Sequence, residues 1–550
     1  MFQRDSITRL ATHEVANQPP PLCDYNLYDS DPGLQEALKR EGAAWAAERV
    51  QDFGGVVGSA RVLALGEAAN RHEPELHAFD RTGARIDEVE FHPAWHELMQ
   101  LGVGAEVHSI AWTARRAGGH VAHAALEYML TQAEAGVCCP ITMTYASIPA
   151  LAHAPDLSAE WAPRILSTAY DRRIVPATEK AGATIGMAMT EKQGGSDVRA
   201  NTTRAVANGD GSYTLTGHKW FCSAPMCDAF LTLAYTGNGL TSFLVPRWTP
   251  QGERNAIQIM RLKDKLGDRA NASSEIEYHG AWAERIGEED RGVRTIIEMV
   301  QHTRLDCTIA PAAYMRQALA NALWHTNHRT AFQRKLIDQP LMRQVLADMA
   351  VEAEAATALT FRLARSFDSA AHNPMEAAFM RIATPVGKYW LNKRVVNFVY
   401  EAMESHGGAG YVEENAMPRL FRQSPLNSIW EGSGNVICLD VLRAMMKEPE
   451  SVAAFINELE AAHGENHALD RATDALKNRL VQPPGEHEAR HLVEQMAVAL
   501  QASVLVRQGP AAIADAYCAT RLSEYPGFVY GGSGAEMDVE AILSRAIPAA

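Results

Sequence analysis

Met187-Ala188-Met189-Thr190-Glu191-Lys192-Gln193-Gly194-Gly195-Ser196-Asp197 combines hydroxyls with a glycine turn that leaves main-chain N–H groups free. Such a surface suits an oxygen-rich cofactor, since N–H and O–H groups both donate to its oxygens. Far downstream, Ile429-Trp430-Glu431-Gly432-Ser433-Gly434-Asn435 sets one carboxylate between an indole and a flexible glycine turn. Together the two stretches point to a flavin site with a catalytic base. Taken alone, the first is as readily a polar loop with glycine turns.

The first stretch opens a change of character. Between about 183 and 285 the chain alternates and is rich in β-branched residues, with Asn208-Gly209-Asp210-Gly211 as a turn before Tyr213-Thr214-Leu215-Thr216. This predicts a β-domain of about 100 residues. From roughly 33 to 175 the composition is helical, as in Gly33-Leu34-Gln35-Glu36-Ala37-Leu38-Lys39-Arg40. Helical composition returns from about 290 to 447, where Met342 to Phe367 carries apolar residues three and four apart. Residues 451 to 550 are again Ala-rich and helical, interrupted by Pro483-Pro484-Gly485 and Gly531-Gly532-Ser533-Gly534. Gln18-Pro19-Pro20-Pro21 marks residues 1 to about 30 as an extended arm able to wrap a neighbouring subunit. The expected division is 1-182 (arm and helical domain), 183-285 (β-barrel), 286-450 (helical bundle) and 451-550 (a further helical domain).

Within the β-region, Gly217-His218-Lys219-Trp220-Phe221-Cys222-Ser223 reads as a strand, and alternation puts Phe221 and Ser223 on one face. An aromatic beside a hydroxyl suits packing on an isoalloxazine and bonding to its N5, although such pairs occur in any half-buried strand. Glu431, between Trp430 and Gly432 in a largely apolar setting, suits proton abstraction next to a carbonyl. The commoner role of a lone glutamate there is a helix cap or a salt bridge.

Other patterns carry less. No G-x-G-x-x-G occurs, so a Rossmann-type site has no support. His92 and His96 have i, i+4 spacing, but Pro93 marks a helix start and no third ligand follows at a recognisable distance; a packed helix N-terminus is expected, and no metal. Arg254, Arg261, Lys263, Lys265 and Arg269 are interleaved with Asp264, Asp268, Glu275 and Glu277, which favours a solvated loop and strand over nucleic-acid contact. Eight cysteines without C-x-x-C spacing imply neither zinc nor a disulfide framework. The net charge of −15 disfavours a general polyanion binder. No apolar run is long enough to span a membrane, and Met1-Phe2-Gln3-Arg4-Asp5 lacks the build of a signal peptide. The expectation is a cytoplasmic protein.

Jointly these segments resemble the acyl-CoA dehydrogenase family of flavoproteins. Met189 to Val198 with Asn201-Thr202-Thr203-Arg204-Ala205 looks like the AidB branch associated with the bacterial response to DNA alkylation, as do Cys139-Pro140-Ile141-Thr142-Met143-Thr144, Phe91 to His96 and Asn427 to Asn435. The resemblance implies a mainly α chain with a central β-barrel domain, an acyl-CoA dehydrogenase-like fold with an extra C-terminal helical domain, and a homotetramer. It implies FAD between barrel and bundle, with Met187, Met189, Thr190, Gly195 and Ser196 on the flavin side and Phe221 and Ser223 beside the ring. Ile429, Trp430, Gly432, Ser433 and Asn435 match the returning cofactor segment, and Arg329 matches an arginine that meets the pyrophosphate from a neighbouring subunit. Glu431 falls on the catalytic base, which removes an α-proton while hydride leaves the β-carbon for flavin N5. An acyl-CoA-like substrate, an electron-transfer flavoprotein and duplex DNA are the implied partners.

Departures from that pattern are Ser223, where many relatives have threonine, and Ala331 and Pro340, which replace polar cofactor contacts. The C-terminal region holds seven basic and thirteen acidic residues, a net of −6. Phosphate binding scales with the cations presented, so DNA contact through this region is weakly supported. The alternative is a DNA-associated protective flavoprotein with little or no acyl-CoA turnover.

Overall fold

In the computed structural model, residues 7–482 and 484–548 are described, which leaves Pro483 of the Pro-Pro-Gly interruption outside them. Seven strands form one sheet in the middle of the chain: β3 (Ile185–Ala188), β4 (Arg204–Ala207), β5 (Ser212–Ser223), β6 (Ala229–Thr236), β7 (Gly239–Pro246), β8 (Ile257–Leu262) and β9 (Ser273–Ile286). They follow a hairpin of β1 (Glu75–Phe79) and β2 (Arg85–Glu90). Antiparallel pairing runs β6 to β7 to β9 to β5 to β4, and Arg204 of β4 then meets Tyr235 of β6, so five strands close into a ring. β3 adds to β6 in parallel and β8 to β9. Closure leaves few unpaired strand edges. The β4–β5 turn is the expected Asn-Gly-Asp-Gly, with Gly209 and Gly211 at φ of 84° and 94°.

Long helices form a bundle that meets this barrel through Gly292–His328 on β6 and β7 and through Ala135–Leu151 on β3. Gly292–His328, Pro340–Ala370 and Pro374–Ser405 pack on one another, and Gly119–Ala133 and Ala135–Leu151 join them. Their contact faces are rich in alanine, such as Ala347, Ala350, Ala353 and Ala356, all buried, which lets the backbones approach closely. Asn373 caps the third helix by accepting from the N–H groups of Met375 and Glu376, with Pro374 in the first turn. A mainly helical chain with a strand barrel in the middle of the sequence and more helices at the C-terminus is the expected architecture. No described helix is long and apolar enough to cross a membrane.

The C-terminal helices dock through buried polar contacts. Glu352 accepts from Arg394 at 3.0 Å and from Arg521 at 2.9 Å. Burial opposes that charge, yet the two guanidinium groups outweigh it and hold the carboxyl at about 2. Gln501 accepts from Trp390 Nε1 and from the Tyr517 hydroxyl.

One feature differs from the expectation. The β1–β2 hairpin interrupts the first helical section, turning on Asp80, whose carboxylate accepts from the N–H groups of Thr82 and Ala84. Its alternating residues are too few to stand out inside helical composition. The arm folds onto its own chain: Asn17 exchanges two bonds with Thr330 at 2.7 and 2.8 Å, and Trp324 Nε1 donates to the Pro20 carbonyl at 2.8 Å.

The barrel holds its opening loop through Glu191. This buried carboxylate accepts from Thr202 N and Oγ1, Thr203 N, Gln193 Nε2 and, at 2.9 Å, the buried Lys219 Nζ. Burial opposes the charge, but Lys219 and the threonine donors take Glu191 down to about 2. Lys219→Met strands that carboxylate. The expected cost is about 3–5 kcal/mol, read as a lower urea midpoint for unfolding.

Candidate active site

Strand β3 carries Met187 and delivers the chain into the glycine turn, and Trp220 N–H of β5 donates to the Thr190 carbonyl at 2.7 Å. The stretch 187–197 is thereby stitched to the strand bearing Phe221 and Ser223. Met189 is fixed through its carbonyl, which accepts from Asn201 Nδ2 at 2.9 Å. Gly194 has no room for a side chain, because a Cβ would sit 2.5 Å from the Asp197 carbonyl oxygen, and Gly195 lies against Thr190. The N–H groups of Gly195 and Ser196 donate to no acceptor among the described residues. Phe221 is 46% exposed while Cys222 beside it is fully buried. Ser223 Oγ lies 3.2 Å from Ser273 Oγ.

The second stretch is a tight reversal held from three helices. Glu431 and Gly432 both lie in the left-handed region, at φ of 56° and 102°. For a glutamate this costs on the order of 1–2 kcal/mol, so the surroundings must impose it. Lys388, buried on the Pro374–Ser405 helix, does so by donating to the carbonyls of Asn427, Trp430 and Gly432 at 3.0, 2.9 and 2.8 Å. Arg304, on the Gly292–His328 helix, donates to the Glu431 carbonyl at 3.2 Å and pairs with Asp440 at 2.8 Å. Asp440 lies on the helix Gly434–Lys447 and also takes Arg381.

Glu431 Oε2 accepts from the Thr303 hydroxyl at 2.7 Å. Burial pushes its carboxyl above the usual range, while Thr303, Lys388 and Arg304 pull against that. Around it Ile429 is 63% exposed. Ser433 caps the following helix without using its hydroxyl, and Asn435 Oδ1 accepts from Arg490 of the C-terminal section at 2.8 Å.

Arg329 stands apart at the end of the Gly292–His328 helix, its guanidinium donating to the Asn17 carbonyl. No hydrogen bond or ion pair among the described residues links it, the 187–223 group and the 429–435 group to one another. His92 caps its helix by accepting from Ala94 N–H, and His96 bonds the Tyr170 hydroxyl, as expected of a packed helix start. The basic cluster is neutralised: Arg261 and Lys263 share Glu275, Arg269 pairs with Glu73, and Arg254 lies 3.6 Å from Glu88. Lys265 is tucked inward on the carbonyls of Asp268 and Asn271 rather than solvated. All eight cysteines are free thiols.

Comparison with known proteins bears on this arrangement. Residues 17–172 match the adaptive response protein AidB N-terminal domain, 186–281 the acyl-CoA dehydrogenase middle domain and 290–446 the acyl-CoA dehydrogenase C-terminal domain. The chain is 46% identical over 518 residues to the putative acyl-CoA dehydrogenase AidB of Escherichia coli, covering 94% of this chain and 95% of that one. The chain belongs to the acyl-CoA dehydrogenase family, in its AidB-like branch. It is also 33% identical to acyl-CoA dehydrogenase family member 11 of Caenorhabditis elegans, over 83% of this chain and 77% of that one. A solved structure of the same worm enzyme type, in complex with C11-CoA, superposes with a TM-score of 0.83, covering 100% of this chain and 96% of that one at 27% identity.

As a member of this family the chain is an FAD-dependent oxidoreductase. Its residues fit the cofactor. The unpaired N–H groups of Gly195 and Ser196 suit anionic or carbonyl oxygens, and the uncovered side chains of Phe221 and Ile429 offer apolar surface for a ring system.

Sequence reasoning missed the residues that hold the site: Glu191 with Lys219, Thr303, Arg304, Lys388 and Asp440. Only Glu191 and Lys219 stood inside quoted motifs, and neither was read as holding the site. Lys388 sits in ordinary helical sequence, and nothing but its burial at 1% exposure marks it. Lys388→Met removes three charge-assisted bonds, each of about 1.5–3 kcal/mol in isolation. The expected result is a lowered Tm with weakened FAD retention, followed by thermal unfolding and by flavin released on gel filtration.

Proposed function

We propose that the chain acts on the CH–CH bond of an acyl-CoA, with Glu431 taking the α-proton and the β-carbon giving up hydride, so that a trans-2-enoyl-CoA is formed. FAD, when bound, supplies the hydride acceptor. The observation that carries this reading is the carboxylate itself: a glutamate forced into a left-handed turn, oriented by the Thr303 hydroxyl at 2.7 Å and raised in pKa by burial. A raised base is better matched to proton abstraction near neutral pH than an ordinary carboxylate. Lys388 and Arg304 keep the turn in place without neutralising Oε1 and Oε2 directly, since both bond main-chain carbonyls there.

Met187, Met189, Thr190, Gly195, Ser196, Phe221 and Ser223 are the proposed flavin-side contacts, with Ile429, Trp430, Gly432, Ser433 and Asn435 as the returning segment. Arg329 is proposed to serve the site of a second copy. That second copy belongs to the homotetramer that the family resemblance implies. The proposed domains remain 1-182, 183-285, 286-450 and 451-550. A CoA thioester as substrate is supported by the worm relative's complex with C11-CoA. An electron-transfer flavoprotein as acceptor and a cytoplasmic location complete the reading.

A role in the response to DNA alkylation is supported by the match to the adaptive response N-terminal domain. Direct DNA contact through the C-terminal section is not favoured. Of its seven basic residues, Lys477, Arg479, Arg507, Arg521 and Arg545 already pair with acids. Cations so engaged release few counterions on meeting phosphate. Duplex binding measured from low to physiological salt is therefore expected to be weak with a shallow salt dependence; a steep slope would restore the protective DNA-bound reading.

Anaerobic titration with short, branched and long acyl-CoAs is expected to bleach the oxidised flavin band with one class. Glu431→Gln should keep FAD and lose the bleaching; bleaching by neither protein overturns the dehydrogenase reading. Thr303→Val removes a donor that favours the carboxylate, so the Glu431 pKa rises further. The acid limb of the pH–rate profile is expected to move to higher pH.

A further inference from the structure

His123 and Glu127 lie one turn apart on the helix Gly119–Ala133, and Asp306 faces them from Gly292–His328, one turn beyond Thr303. All three side chains are buried, at 0%, 2% and 4% exposure. His123 Nδ1 lies 2.6 Å from the Val107 carbonyl and must donate to it, which leaves Nε2 as the bare lone pair of a neutral imidazole. That lone pair points at two carboxylates: Nε2 is 3.2 Å from Glu127 Oε2 and 3.1 Å from Asp306 Oδ1. Glu127 Oε1 is held by the Thr142 hydroxyl at 2.9 Å, and apart from Thr142 and a proton shared between the two acids, neither Glu127 Oε2 nor Asp306 Oδ2 has a hydrogen-bond donor. No Lys or Arg among the described residues pairs with either carboxylate. The Tyr145 ring, stacked at 3.8 Å, fixes the imidazole plane.

Three electron-rich atoms thus converge in a buried space with no basic side chain to balance them. One imidazole nitrogen and two carboxylates form a donor set for a first-row divalent ion. Bonds of about 2.0–2.1 Å in a tetrahedral site place neighbouring ligand atoms about 3.3 Å apart, close to the separations found. The Val107 carbonyl behind Nδ1 and Thr142 behind Glu127 are outer contacts of the kind that orient metal ligands. Asp306 Oδ2, the oxygen of that carboxylate not already facing Nε2, allows Asp306 to bind through both oxygens.

We propose that His123, Glu127 and Asp306 bind one divalent cation, Zn²⁺, Mn²⁺ or Fe²⁺, which ties the two helices together behind the turn of Thr303. The site holds no part of the proposed acyl-CoA chemistry, and binding displaces the protons the carboxyls otherwise share.

The test is elemental analysis of the flavin-loaded full chain, purified without chelator and also after equilibration with each ion and desalting. About one metal per chain is expected. Glu127→Gln and Asp306→Asn should each lower occupancy by about tenfold or more while the flavin absorbance is unchanged. Anomalous diffraction at the metal edge provides a check that needs no variant, with a peak expected between the three side chains. Substoichiometric metal under every condition, occupancy indifferent to both substitutions, or an anomalous peak only elsewhere overturns the proposal and leaves a neutral, proton-sharing triad.

Discussion

One buried ammonium governs the reversal that carries Glu431. Lys388 reaches from the middle of a long helix and gathers three carbonyls of a reversal that has no regular partner for them. Buried carbonyls without donors are costly, and a left-handed glutamate adds strain. The lysine offsets both. With the turn pinned, Glu431 can only point where Thr303 meets it, and the chain can only leave into the helix Gly434–Lys447, whose Asp440 returns the grip by holding Arg304 and Arg381.

The barrel solves the same problem with opposite charges. Its opening loop carries the glycines that keep N–H groups free, and such a loop has little to hold it. Glu191 supplies acceptors for four donors from its own neighbourhood, and Lys219 neutralises it from β5. Both sites therefore hang a flexible, oxygen-facing turn from a buried charge on a rigid element. This is the arrangement expected where a cofactor must be gripped by backbone without the backbone moving.

The C-terminal section spends its arginines inward. Arg521 reaches Glu352 and Asp348, Arg545 reaches Glu36 and Glu354, and Arg507 reaches Glu458. The Arg521 and Arg545 pairs fasten the added helices to the bundle and to the first helical section, while Glu458, braced by Arg507 within the added section, also takes Arg362 of the bundle. Arg490 reaches the turn region, through Asn435. Its contact links the added section to the segment that follows Glu431.

Much of this was legible in the sequence because it is written in local pattern. The Asn-Gly-Asp-Gly turn, the alternation of 212–223, the helical spacing of 342–367 and the glycines beside Ser196 and Glu431 each act over a few residues, where backbone preference is strong. The hairpin at 75–90 was hidden because its alternation is short. What the tertiary structure decided are the contacts between residues far apart in the chain: Lys388 with Trp430, Glu191 with Lys219, Thr303 with Glu431, His123 with Asp306. A lysine in a helix and a histidine near a glutamate look ordinary in one dimension. Their importance comes from burial, which removes water as the alternative partner, and burial is a property of the packed helices and barrel.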